Sequence, residues 1–239
     1  MSGNRKPFKQ PPKRYQPRGV PVLYEDHDII VVDKACGILT ISTDRPRDIT
    51  AYTLLTDFVR KGDAKSKKRI FIVHRLDKDT SGVLVFAKTE SAKRFLQDEW
   101  SQFQKKYLAV VHGRLDEKKG VISSYLAENK AYNMYSVKNP SQGKLAKTAY
   151  KVLKESSQYS LLEIDLLTGR KNQIRVHFSE RKNPVVGDKL YGRKGIRMKR
   201  LGLHAASLTL QHPFLKETMT FEARTPGFFN QLFKVSTKK

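Results

Sequence analysis

Asp77 and Asp79 are the carboxylates of this chain whose setting is best suited to chemistry. They sit in the polar insert His74-Arg75-Leu76-Asp77-Lys78-Asp79-Thr80-Ser81-Gly82, between the apolar runs Ile70–Val73 and Val83–Phe86. A carboxylate on a short loop between two strands is held rigidly yet stays open to a cleft, where it can serve as nucleophile or general base. Two blander uses compete. Asp77, Asp79 and Gly82 match positions one, three and six of a calcium-binding EF-hand loop. That reading fails at position twelve, which is Lys88 rather than a bidentate Glu, and on flanks of strand rather than helix character. The other use is a hairpin loop whose Asp side chains cap their own turns, and local residues alone leave it open. A paired-carboxylate glycosidase needs a second acid near the first; Asp79 is the only close candidate, and nothing marks it as one.

The elements that must position this loop follow from periodicity. The β-branched and aromatic content on both sides of the insert predicts a strand–loop–strand unit from Ile70 to Ala87. Earlier, Val22–Tyr24 and Ile29–Val32 read as strands joined by the turn residues Asp26-His27-Asp28. A helix is expected from Thr50, a capping residue, to Arg60, with Gly62 past its end. A second helix is expected from the N-cap Thr89 to about Lys105, with Ala92, Phe95, Leu96, Trp100 and Phe103 as a core-facing stripe. Lys106–Val111 reads as a strand, and Glu117–Gly143 as a short strand near Val121–Tyr125 followed by a surface loop. Lys147–Leu153 and Ser160–Leu167 are strand-like, a helix is expected from Asn172, and Leu203–Leu210 and Thr218–Ala223 close the pattern. Hairpin-like pairs mixed with helices argue an α+β fold with a largely antiparallel or mixed sheet.

Lys and Arg number 47 against 23 Asp and Glu, a formal net charge of +24. Such an excess calls for a polyanionic partner, with nucleic acid ahead of a membrane surface. No apolar run reaches bilayer length and no signal-peptide core follows the first residues, so a cytoplasmic protein is expected. The single cysteine, Cys36, fits a reducing compartment, and with apolar and small neighbours and no adjacent base it is a poor nucleophile. Residues 1–20 carry Arg5, Lys6, Lys9, Lys13, Arg14 and Arg18 with several prolines and no acid, and are expected to form a mobile basic arm ahead of one domain over 21–239. Arg193, Lys194, Arg197, Lys199 and Arg200 form a second basic run that could contact phosphates or simply be solvated. The sequence has no His, Cys and carboxylate cluster at metal-ligand spacing and no glycine-rich phosphate loop. Neither a metal nor a nucleotide cofactor is therefore expected.

Three spaced strings resemble the RluA-type pseudouridine synthase family. His74-Arg75-Leu76-Asp77 with Thr80-Ser81-Gly82 resembles the catalytic signature. Lys106-Tyr107-Leu108-Ala109-Val110-Val111-His112-Gly113 resembles a second element, and Thr168-Gly169-Arg170-Lys171-Asn172-Gln173-Ile174-Arg175-Val176-His177 a third. Likeness extends from Val22 through Pro184-Val185-Val186-Gly187-Asp188 to Leu203-His204-Ala205. Two departures stand out: Ala35 where the family usually has proline after lysine, and Asn172 where it usually has histidine before Gln-Ile-Arg.

The resemblance implies a cofactor-free RNA isomerase without the S4-type domain that some members carry. Its fold would be a bent central sheet flanked by helices, with the active-site cleft across the sheet. It makes Asp77 the catalytic residue, Tyr107 a wall of the uracil pocket, Arg175 the cation paired with Asp77, and Arg75 the side chain that fills the place of a flipped base. On residues alone Tyr107 is an ordinary half-buried strand tyrosine and Arg175 an ordinary helix arginine. The implied substrate is structured RNA, ribosomal or transfer, bound by a monomer. A rival class, a non-catalytic RNA-binding protein on a retired enzyme scaffold, explains the charge equally well but not the complete set of Asp77, Tyr107 and Arg175.

Overall fold

The structure is a computed structural model that describes residues 10–42, 49–63, 65–193, 195–196 and 198–233. It divides into two compact units. The first holds residues up to Gln102 together with Thr209–Ala223, and the second holds Phe103–Leu208 and the chain from Arg224.

The first unit begins with β1 (Val22–Glu25) and β2 (Ile29–Lys34), then α1 (Ala51–Arg60), β3 (Phe71–Ile72), β4 (Ser81–Ala87) and α2 (Glu90–Asp98). β2 pairs antiparallel with β1 and with β4, and β3 pairs antiparallel with the end of β4 through Phe71↔Ala87 and Ile72↔Phe86. All seven residues of β4 are buried, the pattern of a strand covered on both faces. α1 starts where its cap predicts: Thr50 and Thr53 exchange side-chain and backbone hydrogen bonds in a capping box. It ends on Lys61 in the left-handed region at φ 55°. α2 stops at Asp98, seven residues short of the expected end. The expected stripe is divided accordingly: Ala92 and Leu96 are buried from the helix, Trp100 lies beyond it and stacks on His74, and β5 begins at Gln104.

Of the expected basic arm, residues 1–9 lie outside the described residues, and among residues 10–20 Gln16 and Val20 make the following contacts. Gln16 Nε2 donates to Pro11 O at 3.0 Å, its Oε1 accepts from Val22 N at 2.8 Å, and Val20 is fully buried.

In the second unit, β5 (Gln104–His112), β6 (Lys119–Glu128), β7 (Met134–Val137), β8 (Lys144–Glu155) and β9 (Tyr159–Leu166) pair antiparallel in the order β5-β9-β8-β6-β7. β6 and β7 form a hairpin where the sequence reading has one short strand and a loop. Polar Ser, Asn and Lys residues mask a strand that needs only alternate burial, as Ile122 and Leu126 provide. α3 (Gln173–Glu180) follows, and its Ile174 and Phe178, one turn apart, pack with Ala109, Val111, Leu162 and Ile164 of the sheet. Full burial of a side chain the size of Phe178 contributes about 2–3 kcal/mol.

The first residues of β10 (Leu203–Gln211) belong to this second unit, and Thr209–Gln211 to the first, where β11 (Thr218–Glu222) pairs with β10. α4 (Gly227–Gln231) packs Phe229 with Val110 and Val186 in the second unit. The architecture is α+β. Among the described residues, no helix is long and apolar enough to cross a membrane.

Candidate active site

Asp77 lies on the loop between β3 and β4, half-buried, between buried Leu76 and exposed Lys78, with Arg75 exposed two residues before it. Its backbone is gripped from both sides by a segment 40 residues earlier. On the amino-terminal side the buried Thr40 hydroxyl donates to Leu76 O at 2.9 Å and accepts from Leu76 N at 3.1 Å. On the carboxyl-terminal side Lys78 O accepts from Gly37 N at 2.9 Å and from Lys34 Nζ at 3.1 Å. Lys34 is wholly buried, and its ammonium also donates to Ala35 O at 3.1 Å and Ile38 O at 2.7 Å. A buried charge is tolerable only when its hydrogens are satisfied, so these three carbonyls fix the spatial relation of the two loops. Thr80 N closes the turn on Asp77 O at 3.1 Å. Neither Lys34 nor Thr40 stands out in the sequence as a support for Asp77.

The departure at Ala35 has a local reason. Its N–H donates to Gly19 O at 2.8 Å, a bond that proline lacks the hydrogen to make. Gly37 completes the turn at φ +89°, which favours glycine. His74 is structural, as a histidine at a strand end usually is. Its Nε2 accepts from Val85 N at 3.2 Å and its ring stacks on Trp100 at 4.2 Å.

The other two principal residues belong to the second unit. Tyr107 stands opposite Ile164 on β5, on the face it shares with Ala109 and Val111, and packs half-buried against their core cluster. Arg175 projects from the first turn of α3 and is locked in place. Its Nε and one terminal nitrogen bind both oxygens of Asp188 at 2.7 and 2.9 Å, its other terminal nitrogen donates to Asn172 Oδ1 at 2.8 Å, and Tyr191 lies 5.2 Å beneath the guanidinium. Asp188 has a fully buried side chain and also accepts from the backbones of Leu190 and Tyr191. Burial pushes its carboxyl up, but the Arg175 pair and these N–H groups outweigh that and hold it below the ordinary value.

Asn172 caps the helix at φ 53°, a conformation asparagine tolerates, and its Nδ2 donates to Tyr191 Oη at 3.3 Å. The departure from histidine therefore leaves a residue that orients Arg175. Asp188 appears in the sequence only within the string Pro184–Asp188. Its role needs the turn at Gly187 (φ +74°), where a Cβ would lie 2.1 Å from Arg200 O.

A buried polar chain sets the loop before α3. Gln173 Oε1 accepts from the Thr168 hydroxyl and Arg170 N, while its Nε2 donates to Lys147 O and Thr148 Oγ1. Thr148 Oγ1 lies 2.9 Å from His177 Nδ1, and His177 Nε2 lies 3.1 Å from Ser124 Oγ. Burial lowers the His177 pKa to about 4, so the ring is neutral at neutral pH.

The second basic run is only partly described. Lys194 and Arg197 lie outside the described residues, Arg193 and Lys199 are exposed, and Arg200 is half-buried with its guanidinium 5.8 Å from the Phe229 ring.

Among the described residues, folding brings together one group with metal-ligand chemistry that the sequence spacing hides, Asp26, Asp28 and His212. Its hydrogen bonds define it as a structural clasp. Asp26 Oδ2 takes His212 Nε2 at 2.8 Å, Asp26 Oδ1 takes the N–H groups of Asp28 and Ile29, and His212 Nδ1 accepts from Phe214 N and Leu215 N. Both ring nitrogens are thereby used, and the site does not fit a metal.

The fold is that of the pseudouridine synthases. The structure resembles human RNA pseudouridylate synthase domain containing 4 with a TM-score of 0.73, at 24% identity over 87% of this chain and 90% of that one. It resembles human RNA pseudouridylate synthase domain containing 1 with a TM-score of 0.68, at 27% identity over 91% of this chain and 86% of that one. In sequence, the family model described as RNA pseudouridylate synthase matches residues 28–180. An uncharacterized RNA pseudouridine synthase of Mycoplasma pneumoniae is 37% identical over 235 residues, 93% of this chain and 73% of that protein. Ribosomal large subunit pseudouridine synthase D of Borreliella burgdorferi is 33% identical over 231 residues, 92% of this chain and 71% of that protein. The chain belongs to the RNA pseudouridylate synthase family, and its reaction is the isomerisation of uridine in RNA.

Proposed function

We propose that this enzyme converts a uridine of structured ribosomal RNA to pseudouridine through Asp77, acting in the cytoplasm as a monomer. In the reaction the bond from N1 to C1′ breaks, the uracil turns, C5 bonds to C1′, and the proton lost from C5 is balanced by one gained at N1. Asp77 acts at the ribose, as nucleophile at C1′ or as base at C2′. A uridine inside folded RNA is out of reach, so the base flips into the site and Arg75, exposed beside Asp77, fills the gap it leaves. Tyr107 stacks on the base. Arg175 pairs with Asp77 and stabilises negative charge on the departing uracil. Its Asp188 and Asn172 contacts would fix its direction before substrate arrives, the condition under which a charge stabilises a transition state without reorganising.

The observation that carries this reading is the double grip on the Asp77 loop by Thr40, Gly37 and Lys34, since a turn-capping aspartate has no need of such support. Ribosomal RNA is favoured over transfer RNA by relatives named ribosomal large subunit pseudouridine synthase D. Single-turnover assays with wild type and Asp77→Asn test the assignment. The variant should bind RNA and show no measurable isomerisation, and retention of a tenth of the rate, a loss of only about 1.4 kcal/mol, would reject it. Mapping pseudouridines in ribosomal and transfer RNA from cells with and without the protein tests the substrate.

A further inference from the structure

The first unit carries a groove of about 1180 Å³ that the candidate active site does not use. Its walls come from the end of α1, Lys61, Gly62, Lys67, Lys68 and Arg69, Phe71 of β3, the start of α2 and the stretch around Tyr15. Asp77 precedes β4 and the groove residues Lys88 and Thr89 follow it, so the seven residues of that strand, roughly 20 Å, separate the two places.

The charge of the groove is one-sided once the groups with ion-pair partners, one inside the groove and one (Arg94) outside it, are set aside. Lys88 is committed to Glu25 at 2.6 Å, and Glu90 faces Arg94 at 3.3 Å. What remains is Lys61, Lys67, Lys68 and Arg69, all exposed, against Asp57. Among the described residues here, Arg60 Nε donates to Lys68 O at 3.0 Å, and Asp63 Oδ1 accepts from Lys65 N at 2.9 Å. Aromatic rings lie among the cations. Arg69 stands 4.7 Å over Phe71, Arg14 stands 4.8 Å over Tyr15, and Tyr15 is 60% exposed. Phosphates explain the lysines, but only unpaired bases can use the ring faces, because a duplex keeps its bases stacked on one another.

We propose that this groove binds an unpaired strand of the RNA substrate, distant from the uridine that is modified. The proposal rests on the chain's action on RNA but not on Asp77, and a binding assay keeps the two apart. The probe is a fluorescent oligouridylate twelve nucleotides long, titrated with full-length protein in the Asp77→Asn background so that no turnover intervenes. The triple variant Lys61→Gln/Lys67→Gln/Lys68→Gln should bind more weakly and flatten the slope of log affinity against log salt by roughly 2, at about 0.7 for each phosphate contact. Tyr15→Leu removes a ring and no charge. It should weaken binding about fivefold or more and leave that slope unchanged.

Circular dichroism of each variant checks that it is folded. An unchanged slope in the triple variant together with unchanged affinity in Tyr15→Leu overturns the proposal. Polyglutamate competing as well as oligouridylate at equal charge also overturns it, and would mark the groove as a dock for acidic protein segments instead.

Discussion

Thr40→Val tests whether the grip on the Asp77 loop serves catalysis. The substitution keeps the shape of a side chain that is 2% exposed and deletes both of its hydrogen bonds to Leu76. Leu76 is itself buried, so its N–H and C=O lose partners where water does not replace them, at about 1–3 kcal/mol each. A total loss of about 2–6 kcal/mol is expected, a large part of the roughly 5–15 kcal/mol that holds a domain folded. The released loop also lets the Asp77 carboxylate drift, and a displacement of about 1 Å can lower a rate on the order of 100-fold. The assay is single-turnover isomerisation at saturating RNA, with urea unfolding and RNA affinity measured on the same preparations. The rate should fall about 100-fold while affinity stays within about twofold, and Thr40→Ser, which keeps the hydroxyl, should restore most of it. A Val variant that is destabilised but turns over at the wild-type rate would refute the reasoning, because the grip of Thr40 on Leu76 would then serve the fold alone.

Asp188→Asn should destabilise the second unit by about 3 kcal/mol, since it removes the buried carboxylate that holds the half-buried Arg175 by two hydrogen bonds. Because Asp188 titrates below its unfolded value, its contribution is present above about pH 4 and is lost as pH falls through the folded value. Acid unfolding followed by circular dichroism should therefore be less steep below about pH 4 in the variant than in wild type. His177 acts in a higher window. Unfolded it takes up a proton near pH 6.5 and folded only near about 4, so wild-type stability should fall by roughly 3 kcal/mol as pH drops through that interval. His177→Gln should remove that dependence, read as urea midpoints from pH 7 to 4. Deleting residues 2–9 removes Arg5, Lys6 and Lys9 and should flatten the salt dependence of RNA binding by up to about 2 if they lie on phosphates; an unchanged slope would make the segment a solubility tail.

Local chemistry was legible in the sequence wherever near neighbours decide the outcome. The Thr50 cap, the strand–loop–strand around Asp77, the α+β class and the start of α3 at Asn172 all follow from residues within a few positions of one another. The family was legible too, from the strings around Asp77, Tyr107 and Arg175. Three things were not. The end of α2 at Asp98 was hidden because Trp100 continues a helical spacing while its ring serves the stack on His74. The β6–β7 hairpin was hidden because a strand with one solvated face can be rich in Ser, Lys and Asn. The supports of the site were hidden most completely. Lys34 and Thr40 reach Lys78 and Leu76 across 44 and 36 residues, and Asp188 reaches Arg175 across 13. A buried lysine or aspartate looks in sequence like any surface charge. Only the packed chain, which withholds water from these groups and leaves carbonyls or a guanidinium as their partners, decides that they hold the Asp77 loop and Arg175 in place.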